Sequence, residues 1–81
     1  MKIQILGTGC AKCKTLTANA EKAVQELGLR AEIEKVTAIQ DIMKFRVLMT
    51  PGLVIDGQVK AAGRVLSTDE IKQMLSAAEA Q

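Results

Sequence analysis

Lys2-Ile3-Gln4-Ile5-Leu6-Gly7-Thr8-Gly9-Cys10-Ala11-Lys12-Cys13 is the segment from which the architecture can be worked out. Its first residues, Lys2 to Leu6, alternate, include β-branched side chains, and stop at Gly7-Thr8-Gly9, the pattern of a strand entering a loop. From Ala11 to Leu27 the period changes to that of a helix. Cys13, Leu16, Ala20, Ala23, Val24 and Leu27 recur at three- and four-residue steps and form one apolar stripe. Lys14, Asn19, Lys22 and Glu26 fall largely outside it. Gly28 follows the last stripe residue, where a left-handed C-terminal cap is usual. A strand thus hands over to a helix, and two cysteines sit at the junction.

Working outward, Ala31 to Val36 reads as a second, more polar strand near a sheet edge. Ile39, Ile42, Met43 and Val47 predict a short second helix that ends before Thr50-Pro51, because a residue preceding proline is pushed out of the helical region. Gly52-Leu53-Val54-Ile55 is an unbroken apolar run of the kind covered on both faces. Asp56-Gly57 is a hairpin turn signal, and Gln58 to Ala61 is the returning strand. Ser67 and Glu70 have capping-box spacing, and Ile71, Met74, Leu75 and Ala78 stripe a closing helix. The order is β-α-β-α-β-β-α in a single domain over 1–81, with no internal repeat. Right-handed crossover makes the first two strands parallel and puts helices on both faces of a four-stranded mixed sheet with the third strand inside. The predicted class is α/β.

Composition narrows the functions. The chain has 81 residues, 48% of them apolar and 25% charged, which is ordinary for a globular domain. A domain this small buries only roughly 60% of its unfolded surface, so every element must serve one core. Phe45 is the one aromatic residue, and the net charge is +2. So slight a charge and the lack of Trp or Tyr to stack on bases argue against nucleic acid as a partner. The absence of histidine removes histidine catalysis. The first residues are too short an apolar stretch for a signal peptide, and no segment reaches the length of a membrane span. The expected setting is the cytoplasm, without membrane attachment, where a cysteine pair serves catalysis, redox sensing or metal binding rather than as a staple.

Cys10-Ala11-Lys12-Cys13 lies where the first strand gives way to the first helix. Unpaired backbone N–H groups and the helix dipole favour negative charge there. A Cys10 thiolate would gain from both, Lys12 and Lys14 add positive charge, and no acidic side chain lies between Met1 and Ala20 to oppose it. Thiols so placed can titrate at roughly 3.5–7.5 rather than ~8.5. Three-residue spacing sets Cys13 one turn behind Cys10, within disulfide reach. Gly7 and Gly9 would let the loop turn tightly and leave Cys10 accessible. Redox chemistry, metal binding and two inert buried cysteines are all compatible with these residues, although Cys-x-x-Cys in a βαβ setting favours the first. Thr50-Pro51 has two readings as well: a helix stop that opens a strand, or a cis peptide in a tight turn.

Together these features resemble the thioredoxin superfamily, and more closely its small thioredoxin- or glutaredoxin-like redox-active disulfide proteins of archaea and bacteria. The likeness rests on Gly7-Thr8-Gly9-Cys10-Ala11-Lys12-Cys13 after the first strand, Thr50-Pro51-Gly52 before the third, and Ala62-Gly63-Arg64 before the last helix. The resemblance implies a thioredoxin-like fold and a thiol–disulfide oxidoreductase in which Cys10 and Cys13 cycle between dithiol and disulfide, contributing to electron transport and cell redox homeostasis. It implies a cis Pro51 against the disulfide, Thr50 offering backbone hydrogen bonds to a bound polypeptide, and Gly63 lining the same groove. Lys12 is the electrostatic support. Arg64 either joins the groove or is a solvated charge before a helix. No cofactor or metal is implied; the partners are protein disulfides and a reductase, and the state is a monomer. Two departures stand out: Gly9 replaces the aromatic residue of typical thioredoxins, and no acidic residue in the first strand stands ready to take the Cys13 proton.

Two rivals follow from the same residues. A soft-metal-binding module or metallochaperone also carries Cys-x-x-Cys at the start of a helix, and thiolates suit Cu(I). Its ferredoxin-like order closes with a strand, however, whereas this chain closes with a helix from Ser67 to Ala80. A non-catalytic interaction domain would instead expose Met43, Phe45, Leu48 and Met49 as an adaptable apolar contact. Against that, Met43 and Phe45 are expected in the core of the second helix.

Overall fold

The computed structural model describes residues 1–9 and 11–79. Strand β1 (Lys2–Leu6) is followed by α1 (Ala11–Leu27), β2 (Glu32–Val36), α2 (Ile39–Lys44), β3 (Gly52–Ile55), β4 (Gln58–Ala62) and α3 (Thr68–Glu79). Among the described residues the strands form one sheet in the order β2-β1-β3-β4. β1 runs parallel to β2, with Ile3 opposite Ile33 and Leu6 opposite Val36. It runs antiparallel to β3, with Ile3 opposite Ile55 and Ile5 opposite Leu53. The sheet is therefore mixed, and the wholly apolar β3 lies inside it, buried at all its residues.

Local chemistry explains the junctions. At the end of α1, Gly28 takes φ +65°. Its N–H donates to the Gln25 carbonyl and the Leu29 N–H to the Val24 carbonyl, the paired bonds that close a helix on a left-handed glycine. Asp56 and Gly57 both have positive φ, 48° and 83°, as a type I′ hairpin requires. Along that hairpin Leu53 faces Ala61 but Val54 faces Val59, so Lys60 is the extra residue of a bulge. The capping box of α3 is complete. Ser67 Oγ accepts from the Glu70 N–H, and Glu70 Oε1 accepts from the Ser67 N–H.

Strand alternation divides the core between the two faces of the sheet. Ile3, Ile5, Leu53 and Ile55 face α1 and α3, where they meet Leu16, Ala20, Leu66, Ile71 and Leu75. Each large aliphatic buried here stabilises the fold by roughly 1.5–3 kcal/mol relative to exposure. Leu6 and Val54 face the other way and pack with Val36, Ile42, Val47 and the half-buried Phe45. Helices cover both faces, but unequally.

The second helix differs from its sequence expectation. It stops at Lys44, because Phe45 leaves helical geometry and Arg46 takes φ +58°. Ile39 and Met43, four residues apart on one face, are 65% and 67% exposed, and only Ile42 is buried from this helix. Val47 reaches the core from beyond the helix end. The predicted apolar stripe was thus two different faces read as one, and Met43 is not core. Phe45 does pack against the smaller cluster, as expected.

Candidate active site

The site forms where β1 ends. The Gly7 N–H donates to the Val36 carbonyl at 3.0 Å, carrying the β1–β2 ladder one residue past the strand. Thr8 and Gly9 then form an exposed bend, with Gly9 at φ +91°, a conformation that costs a side-chain-bearing residue energy. Cys10, the leading cysteine of the sequence reading, lies outside the described residues.

Cys13 lies in the first turn of α1 and is 5% exposed. Its sulfur lies against Gly7 so closely that a Cβ built on Gly7 would collide with Cys13 Sγ. Gly7 is thus needed for space rather than for a special φ, a different reason from the tight turn expected of it. Thr17, buried one turn further on, donates its hydroxyl to the Cys13 carbonyl at 2.9 Å.

Two other segments converge here. The Thr50–Pro51 peptide is cis. Pro51 is buried, Thr50 is exposed, and the Thr50 Cβ lies 4.0 Å from the Cβ position of Gly7. The Pro51 carbonyl accepts a hydrogen bond from the Gly63 N–H at 2.8 Å. Gly63 combines φ +80° with a Met49 contact that would leave an added Cβ only 3.0 Å from the Met49 Cβ. Cys13, Thr50, Pro51 and Gly63, far apart in sequence, therefore ring one end of the sheet. Leu48 and Met49, just before Thr50, are 99% and 65% exposed and present apolar surface beside it.

Beside the Cys13 sulfur is a small cleft of about 80 Å³ lined by Ile5, Gly7, Gly9, Cys13, Lys14, Thr17, Lys35 and Thr37. Among the described residues, two lysines and no carboxylate line it. Lys12 is exposed on α1 and is not among the lining residues. Lys35 was missed as a neighbour of the cysteines, although strand parity marks it. It lies two residues beyond Ile33, which packs on the α1 side of the sheet. Arg64, four residues before α3, pairs its guanidinium with Glu70 of that helix's first turn at 2.9 Å. Hydrogen bonding from the Ser67 backbone N–H, then from Arg64, holds the Glu70 carboxyl below its usual range. Among the described residues, no group of three or more His, Cys, Asp or Glu side chains is placed to hold a metal ion. Nor is any described helix long and apolar enough to cross a membrane.

Comparison with known proteins agrees with this arrangement. A family model described as a thioredoxin domain matches residues 1–76. A thioredoxin of Methanothermobacter thermautotrophicus is 51% identical over 76 residues, covering 94% of this chain and 99% of that protein. A thioredoxin of Methanocaldococcus jannaschii is 45% identical over 73 residues, covering 90% of this chain and 84% of its relative.

Proposed function

This chain belongs to the thioredoxin family and is a thiol–disulfide oxidoreductase, and from that premise we propose that it reduces protein disulfides through Cys10 and Cys13. The Cys10 thiolate attacks one sulfur of the target disulfide, forming a mixed disulfide and releasing the first target thiolate. Cys13 then attacks Cys10, the second target thiolate leaves, and the Cys10–Cys13 disulfide remains. Two electrons pass from the dithiol to the target, and a reductase returns them. A reducing cytosol is the matching compartment, and the protein works as a monomer.

The observation that carries this reading is the position of the Cys13 sulfur, in the first turn of α1 and against Gly7, whose Cβ position lies 4.0 Å from the Thr50 Cβ. Cys10 directly precedes the first residue of that helix, whose first turn contains no acidic side chain. A thiolate there gains from helix N–H donors and from Lys12. Thr50, with Pro51 and Gly63 behind it, supplies the backbone edge along which a target polypeptide lies. The exposed Leu48 and Met49 give that polypeptide an apolar wall.

The test is insulin reduction with dithiothreitol as electron donor. Cys10→Ser abolishes turnover, whereas Cys13→Ser accumulates a mixed disulfide that can be isolated by mass. Full activity in Cys10→Ser would overturn the reading.

A further inference from the structure

In the exchange proposed above, the resolving thiol must lose its proton. The first strand offers no acid for this: β1 is Lys-Ile-Gln-Ile-Leu. The structure offers a different device. The cleft beside Cys13 takes Lys14 and Thr17 from α1 and Lys35 from β2, while β1 contributes Ile5, the loop after it Gly7 and Gly9, and the residues after β2 Thr37. The Thr50 segment that closes on Gly7 is uncharged. Glu34, the nearest acid in sequence to Lys35, is turned to the opposite face of the sheet. There it accepts from Gln4 and pairs with Lys2. Among the described residues, the charged side chains that line this cleft are both lysines, although Lys35 also borders a second cleft with Glu34 and Asp41.

We propose that Lys14 and Lys35 are positioning residues for resolution, holding Cys13 as a thiolate at the moment it attacks Cys10 and standing in for a carboxylate base. The inference rests on the proposed division of roles between Cys10 and Cys13. Neither ammonium can accept the proton, which passes from Cys13 Sγ to water. The lysines instead stabilise the anion left behind. Cys10 carries no charge in the mixed disulfide, so the cleft cations then act on Cys13 alone. The Cys13 Sγ–Cys10 Sγ bond forms as the bond from Cys10 to the target sulfur breaks, and the target departs as a thiolate. Both lysines are exposed, so their effect is moderate and sensitive to salt.

The experiment mixes the reduced protein with an uncharged dipyridyl disulfide, whose two thiols are released in sequence. The first release reports Cys10 and the second reports Cys13. In the Lys14→Gln/Lys35→Gln variant, the pH midpoint of the second release rises by about one unit. Its rate at neutral pH falls only about threefold, because the more basic thiolate is also the better nucleophile. Lys14→Arg/Lys35→Arg keeps the native profile, as does Lys22→Gln, which removes one charge further along α1. In the native protein, raising the salt to about 1 M moves the midpoint upward, a measurement independent of whether any variant folds. A midpoint unmoved by both the double substitution and salt overturns this inference and leaves the cysteine roles intact. A native protein showing no second release at all overturns those roles themselves.

Discussion

Two helices of this small domain begin in opposite ways. α3 starts with Ser67 and Glu70 bonded to each other's backbone N–H groups, Asp69 and Glu70 in its first turn, and Arg64 clamped on Glu70. Its positive end is neutralised by side chains of its own sequence. α1 has no acidic residue in its first turn and carries Lys12, Cys13 and Lys14 there instead. A helix start without carboxylates forgoes roughly 0.3–1 kcal/mol per missing favourable charge. That unspent field is what a thiolate can use. In the proposed exchange, one helix terminus serves stability and the other serves the sulfur chemistry at some cost to it.

The strongest way to break this contrast is to disturb the α1 start physically. Gly7→Ala places a methyl group where Cys13 Sγ sits. It destabilises the fold by roughly 1–3 kcal/mol, as overpacking does, and displaces the sulfur. Denaturation should show the first effect, and an insulin-reduction rate at least tenfold lower the second. Wild-type activity in this variant would mean that the sulfur's seat is not needed.

A subtler change makes α1 resemble α3. Lys12→Glu puts a carboxylate in the first turn. Thermal stability should rise by roughly 0.3–1 kcal/mol, while alkylation of the leading thiol at neutral pH slows several-fold. Stability gained together with reactivity lost is the signature of a terminus kept uncompensated for function. A gain in both would end the comparison.

The smallest effects belong to the α3 side. Ser67→Ala should cost about 1 kcal/mol of unfolding free energy and leave the exchange rate unchanged. Glu70 is held below its ordinary carboxyl range by the Ser67 N–H and then by Arg64. Its contribution is therefore complete above that range and lost as pH falls through the depressed folded value. The stability gap between native protein and Glu70→Gln should accordingly narrow on acidification. A gap independent of pH would show that the carboxylate charge is not what caps α3.

Much of the site was legible as positions and little of it as proximity. Cys13, Thr50, Pro51 and Gly63 each carry a local signal: a place in an apolar stripe, a proline before a strand, a glycine before a helix. Their convergence at one end of the sheet carries none, because it depends on β1 lying between β2 and β3. Strand parity put Lys35 on the Ile33 side of the sheet, but its place beside Cys13 went unnoticed for the same reason. Its relevance comes from pairing with Ile5 across the β1–β2 ladder. The second helix misled in another way. Ile39, Ile42, Met43 and Val47 have helical spacing, but a left-handed Arg46 ends the helix early and leaves Ile39 and Met43 in solvent.

The element order, the limits of α1, the hairpin turn and the α3 cap can all be read from the chain's local chemistry. Each of these is set by interactions spanning no more than about five residues: periodicity, left-handed glycines and side chains bonding nearby backbone. Which face α2 buries, why Gly7 must lack a side chain, and that Lys14 and Lys35 line a cleft with Cys13 emerge from the folded arrangement alone. Those outcomes depend on volume and charge brought together by strands distant in the chain, which no local pattern encodes.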